Sequence, residues 1–172
     1  MQHLVVMGVA GSGKTTVAVL LARRLGWTFA EADDFHPEAN VTKMAAGIPL
    51  DDDDRAPWLA QMARWTSQMD AAGTNTVVTC SALRRAYRDV LAAAAGEVRF
   101  VHLTGDPALI GERIASRTGH FMPASLLPSQ LAALEPLQPD EAGVEVPIGL
   151  APEAVVDQAL AALGLETHVE PR

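Results

Sequence analysis

GVAGSGKTT, residues 8–16, follows directly on the apolar run His3-Leu4-Val5-Val6-Met7. Gly8, Gly13, Lys14 and Thr15 fit GxxxxGK[ST], and the run before them and the helical periodicity after them supply the strand–loop–helix context that gives the motif its meaning. Glycines let main-chain N–H groups turn inward around a phosphate, and the helix that follows points its positive end at the same place. The nucleotide-binding set is therefore Gly8, Ala10, Gly11, Ser12, Gly13, Lys14, Thr15 and Thr16. Lys14 is expected to bridge the β- and γ-phosphates of ATP, and the Thr15 hydroxyl to sit on Mg²⁺.

The rest of the chain alternates strand and helix patterns. Strands are predicted at 3–7, 28–32, 75–80, 98–103 and 144–148, and helices at about 14–25, 38–46, 56–72, 84–95, 106–116, 125–134 and 152–163. Apolar strands separated by helices imply a parallel sheet covered on both faces. The expected fold is α/β, a three-layer αβα P-loop NTPase with a five-stranded parallel sheet. Ligands of such sheets bind beyond the carboxyl ends of the strands. That rule alone marks 8–16, 31–36, 80–85 and 104–106 as the functional stretches.

Composition narrows the class of protein. The chain has 172 residues, 49% of them hydrophobic, enough for one domain with a sizeable core. Residues 1–165 read as that domain and 166–172 as a loose tail. A net charge of −8 argues against a nucleic-acid partner, which needs a basic face. No apolar run approaches the roughly 20 residues that span a bilayer, so no membrane is expected. A lone cysteine, Cys80, and a start without a basic leader fit a cytoplasmic protein. Lys14 and Lys43 are the only lysines, so arginines carry the other positive charges. Cations that meet an anionic ligand must then be placed locally, against an unfavourable overall field.

Motifs of other P-loop classes are missing. Asp70-Ala71-Ala72-Gly73 fits the DxxG of a nucleotide switch by letters but sits at a helix end, and no NKxD occurs. Strand three ends in Thr79-Cys80-Ser81, without the aspartate that usually supports the metal. The nearest carboxylates in sequence are Glu31 and Asp33. If strand two continues, they point to the same side.

EADDFHPEANVTKMAAGIPLDDDDRAPWL (31–59), CSALRRAYRD (80–89) and RTGHFMPASLLPSQLAALE (117–135) decide the acceptor. The spaced pattern HPxxNxxKMxxGxPLxDxDRxPWL is too long to recur by chance. From the P-loop to about residue 147 the chain resembles gluconokinase, the small single-domain P-loop type related in fold to shikimate and nucleoside-monophosphate kinases. The resemblance implies ATP-dependent phosphorylation of D-gluconate at its 6-hydroxyl with Mg²⁺, in a cytoplasmic homodimer. It makes 31–59 the substrate segment and 117–135 a short lid. It also makes Asp33 the partner or base of the acceptor hydroxyl, gives Glu31 a metal-supporting role, and puts Gln130 and His120 near the substrate.

The residue types suit that chemistry. An open-chain polyol with one carboxylate needs one or two cations and several hydrogen-bonding groups. Arg grips a carboxylate with two parallel bonds. Arg55, Arg84, His36 and Lys43 are the candidates. Each keeps a plainer alternative: His36 before Pro37 orders a turn, Lys43 is a surface lysine, and Asp52 and Asp54 cap a helix or pair with Arg55. Asp51 and Asp53 read as solvated loop. Trp58, Met62, Trp65 and Met69 form a helical stripe that reads as core. Arg113 and Arg117 share a helix face, either reaching phosphate or adenine or completing the negative end of the helix dipole. Ser125 is the expected cap of the helix after the lid. Two other readings compete: a kinase for a shikimate-like acid or a nucleoside monophosphate, and a nucleotide-dependent switch without an acceptor.

Overall fold

The computed structural model describes residues 1–116 and 124–165. Strands β1 (Gln2–Met7), β2 (Thr28–Ala30), β3 (Thr76–Thr79), β4 (Glu97–Thr104) and β5 (Gly143–Pro147) form one parallel sheet in the order β2-β3-β1-β4-β5. This is the expected five-stranded αβα arrangement. The order reverses at β1, which pairs with β3 on one side and β4 on the other, so the crevice beyond its carboxyl end opens where the P-loop sits.

Helices α1 (Lys14–Leu25), α2 (Glu38–Ala45), α3 (Asp52–Ala71), α4 (Arg85–Ala92), α5 (Pro107–Ala115), α6 (Leu127–Ala133) and α7 (Pro152–Leu163) complete the described elements. Side chains alternate along β1. Leu4 and Val6 face a core with α1 and α7, while Val5 and Met7 face a second core with α3 and α4. Both faces of a central parallel strand must be apolar for that, which is why the strand reads as a continuous hydrophobic run. On α7, Val155, Val156, Ala159, Leu160 and Leu163 are buried, as the periodicity predicts. Gly26 ends α1 at φ 68°, the left-handed conformation glycine adopts without a Cβ clash. No described helix is long and apolar enough to cross a membrane.

Several boundaries differ from expectation, each for a local reason. Strand β2 stops at Ala30, and Ala32–Phe35 turns as a 3-10 helix. Glu31 and Asp33 are therefore not successive same-side positions of a strand. Helix α3 begins four residues before the predicted start, because Asp51 is its cap: its side chain accepts from the Asp54 N–H while Asp54 accepts from the Asp51 N–H. Asp51, read as solvated loop, is a structural residue. Ser125 lies in a 3-10 turn (Ala124–Leu126) and does not cap α6, which has no side-chain cap and carries Pro128 in its first turn. The stretch 104–106 is structural as well: Asp106 accepts from the Ala108 N–H to cap α5, and Gly105 lies against Ile148.

Candidate active site

The P-loop is braced by its own hydrogen bonds and by the segment after β3. The Ser12 hydroxyl donates to the Val9 carbonyl at 2.8 Å, and the Gly8 N–H to the Ser81 carbonyl at 3.3 Å. Gly11 has φ 79°, and a Cβ there would come within 2.5 Å of Ile114. No side chain caps α1, whose first turn carries no acid, so its leading N–H groups remain available to an anion. Lys14 Nζ donates to the carbonyls of Gly8 and Val9, at 3.1 Å each. The Ala10 N–H donates to Gln130 Oε1 at 2.7 Å, which ties α6 to the loop.

Beside it, Glu31 accepts from two threonines. Thr15 Oγ1 donates to Oε2 at 2.9 Å, and the Thr79 hydroxyl makes a short bond to Oε1. Thr79 also accepts from the Ala32 N–H at 3.1 Å, locking the turn after β2 against the end of β3. Glu31 thus brings a carboxylate from the turn after β2 to the Thr15 hydroxyl and to the end of β3, which carries none of its own. One carboxylate beside one hydroxyl suits Mg²⁺, which keeps several waters and phosphate oxygens as ligands. No cluster of three acidic, histidine or cysteine side chains competes as a cation cage among the described residues.

One cleft is lined by Lys14 and Thr15 together with Glu31, Asp33, His36, Arg55 and Ser81. Met44, Leu50, Trp58, Leu83 and Leu126 give it apolar walls. His36 stacks on Trp58, with ring centroids 4.0 Å apart and planes 16° from parallel. Its Nδ1 lies 3.3 Å from Asn40 Nδ2, a donor, so the neutral ring carries its proton on Nε2, 4.0 Å from Asp33 Oδ1. Burial, reinforced by the Arg55 charge, pushes the His36 pKa down to about 4. His36 is therefore a neutral hydrogen-bonding group near pH 7 and not a second cation. Trp58 is buried core and cleft wall together, which a period-3.6 stripe does not distinguish.

Arg55 donates through Nη1 to the Leu50 carbonyl, by a short bond, and to the Tyr87 hydroxyl at 3.3 Å. Lys43 does not line the cleft: its Nζ holds both oxygens of Asp54, at 3.0 and 2.8 Å, and that bond raises the lysine pKa and lowers that of Asp54. Asp54 pairs with Lys43, and Asp52 accepts from Tyr87; neither pairs with Arg55. Arg84 is exposed at the start of α4 and outside the cleft lining. Cys80 lines the cleft fully buried, its thiol pushed up to about 12 by burial, and is inert as a nucleophile.

A second depression flanks the other side of the P-loop, between Gly13, Thr16, Arg113, Ile148, Leu150 and Pro152. Arg113 is fixed there by donating to the Ile148 carbonyl at 3.0 Å. Its apolar floor and single guanidinium suit a flat base. Arg117 and His120 lie outside the described residues, as does the 117–123 part of the expected lid.

Sequence reasoning missed three contributors. Thr79 supports Glu31; a polar residue ending an apolar strand was the signal. Tyr87 reaches Arg55 from α4. Arg88, 1% exposed, donates to both carboxylate oxygens of Glu141 and to the carbonyls of Ala82, Leu83 and Pro136. It holds the turn in which Ala82 adopts φ 44°, a conformation costly for a residue with a Cβ, and so fixes Ser81 and Leu83 in the cleft.

Residues 4–137 match the family model described as an AAA domain. The chain is 50% identical over 159 residues to the gluconokinase of Gluconobacter oxydans (strain 621H), covering 92% of this chain and 89% of that one. The fold superposes on the unliganded crystal structure of a sugar kinase from Janibacter sp. HTCC2649 with a TM-score of 0.91 at 49% identity, covering 98% and 99% of the two chains. It superposes on a gluconokinase from Sinorhizobium meliloti 1021 with a TM-score of 0.85 at 44% identity, covering 95% and 91%.

Proposed function

The chain belongs to the gluconokinase family, and on that premise we propose that it transfers the γ-phosphoryl group of ATP to the 6-hydroxyl of D-gluconate, giving 6-phospho-D-gluconate and ADP. One observation carries the reading. A single cleft is lined by Lys14 and Thr15 of the P-loop, by Asp33, by a neutral imidazole and by one guanidinium. A phosphate and the carboxylate of one extended acceptor can then be held in the same cleft.

Main-chain N–H groups of the P-loop bind the β-phosphate, and Lys14 leaves its two carbonyls to bridge the β- and γ-phosphates. Thr15, supported by Glu31, would hold Mg²⁺, which would supply charge neutralisation at the phosphates. Asp33 accepts the proton of the 6-hydroxyl as that oxygen bonds to the γ-phosphorus and the bond to the β-phosphate oxygen breaks. Arg55 binds the carboxylate in a charge-assisted fork, and His36 meets sugar hydroxyls. Gln130 lines the cleft while bonded to the P-loop, which ties α6 to the nucleotide end. Arg117 is assigned to the phosphate or adenine and His120 to the substrate. Arg113 contacts the base. Closure of the lid keeps water from taking the phosphoryl group. We extend the reading to a cytoplasmic homodimer with one domain in each chain.

A coupled ADP-release assay over D-gluconate, shikimate, AMP and no acceptor tests it. Release should depend on D-gluconate; equal release without an acceptor would mean an ATPase or switch, and dependence on shikimate or AMP a different kinase.

A further inference from the structure

We infer that Tyr87, oriented by Asp52, is a positioning residue that aims the Arg55 guanidinium at the acceptor's carboxylate. The inference rests on the reading of Arg55 as the carboxylate group. Tyr87 is buried on α4 and does not line the cleft. Its hydroxyl donates to Asp52 Oδ1 at 2.6 Å. With the proton committed there, a lone pair faces Arg55 and accepts from Nη1 at 3.3 Å. The Leu50 carbonyl accepts from the same nitrogen, and the guanidinium carbon lies 5.3 Å from the centre of the Tyr87 ring.

Two acceptors and a ring face thus hold one nitrogen of a planar fork. The Nε and Nη2 edge has no partner among the described residues, and Arg55 lines the cleft. A carboxylate meets that edge side-on through two parallel bonds. The interposed phenol matters for a second reason. Asp52 reaches Arg55 only through Tyr87, and Arg55 forms no ion pair among the described residues, so no protein carboxylate occupies the fork. A direct Asp–Arg pair would compete with the substrate for those donors. Burial, then the Asp52 bond, raises the Tyr87 pKa, which keeps the phenol protonated and the direction of the chain fixed.

The test measures kcat and both KM values in the full-length chain for Tyr87→Phe, Arg55→Ala and the double variant, with Asp52→Asn as a second route to the same bond. Tyr87→Phe should raise the KM for D-gluconate about tenfold, leaving kcat and the KM for ATP within about threefold. In the Arg55→Ala background the same change should have under about twofold effect, because its target is gone. Asp52→Asn should shift the KM in the same direction by less. An unchanged D-gluconate KM in Tyr87→Phe, an equal effect in both backgrounds, or a parallel loss in kcat and ATP affinity would overturn the positioning role while leaving the Arg55 reading intact. An unchanged KM in Arg55→Ala alone would instead remove the carboxylate assignment, and this inference with it.

Discussion

Asp33 and His36 face each other across 4.0 Å, one acidic and partly exposed, the other neutral and sealed against Trp58. Their proposed tasks follow from that difference: Asp33 takes a proton, and His36 holds hydroxyls without adding charge. Asp33→Asn should lower kcat by at least about a hundredfold, the scale of general-base catalysis, with ATP binding by calorimetry unchanged. Loss of nucleotide binding would instead assign Asp33 to the metal. His36 also makes a prediction about stability. Its folded pKa of about 4 lies below the ordinary 6.5, so between those values the unfolded chain binds a proton that the folded chain refuses. Stability is therefore complete above about pH 6.5 and declines as pH falls toward 4, by at most ~1.4 kcal/mol per pH unit. His3 and His102 are lowered by burial and act in the same direction, so the measurement is a difference. Urea unfolding of His36→Gln should show a shallower acid decline than the parent; identical slopes would contradict the buried neutral ring. The presence of His36 in a functional stretch is legible from its place after a strand. Its protonation state is not, because that depends on Trp58, 22 positions along the chain, folding back over it.

At the scale of elements, the P-loop was fully legible, since strand, glycines and helix are contiguous in sequence and their geometry is local. The acceptor wall was less so. The start of α3 hid in a run of four aspartates, where only the reciprocal bonds between Asp51 and Asp54 distinguish a cap from a solvated loop. The Lys43–Asp54 and Arg55–Tyr87–Asp52 contacts join residues 11 to 35 positions apart, and no period in the sequence encodes them. Arg88 is the clearest case. It reads as one more surface arginine on a short helix, yet it is buried and fastens the β3–α4 turn to the 136–141 segment. Its bonds lower the Glu141 pKa from the ordinary carboxylate value. Removing one member of such a pair strands the other charge. Glu141→Ala should therefore cost about 3–5 kcal/mol in chemical unfolding. A cost below about 1 kcal/mol would mean the pair is dispensable and the Ala82 turn holds itself.

Across the whole molecule, the sheet order places three separate stretches of sequence at one rim: the P-loop after β1, the 31–36 turn after β2 and Ser81 after β3. The fourth stretch expected there, 104–106, sits on the far side of β1 and serves packing. The chain's net negative charge makes this convergence necessary, because cations must be concentrated where anions bind. Lys14 and Arg55 line one cleft, and in the proposed reading they are the two cations that meet the phosphate and the carboxylate of a linear acid. The most direct test is a crystal structure with D-gluconate, magnesium and an unreactive ATP analogue. The carboxylate should lie in the fork of Arg55, with the 6-hydroxyl beside Asp33 and facing the γ-phosphate. A gluconate bound in reverse, or outside the 31–59 wall, would contradict the account.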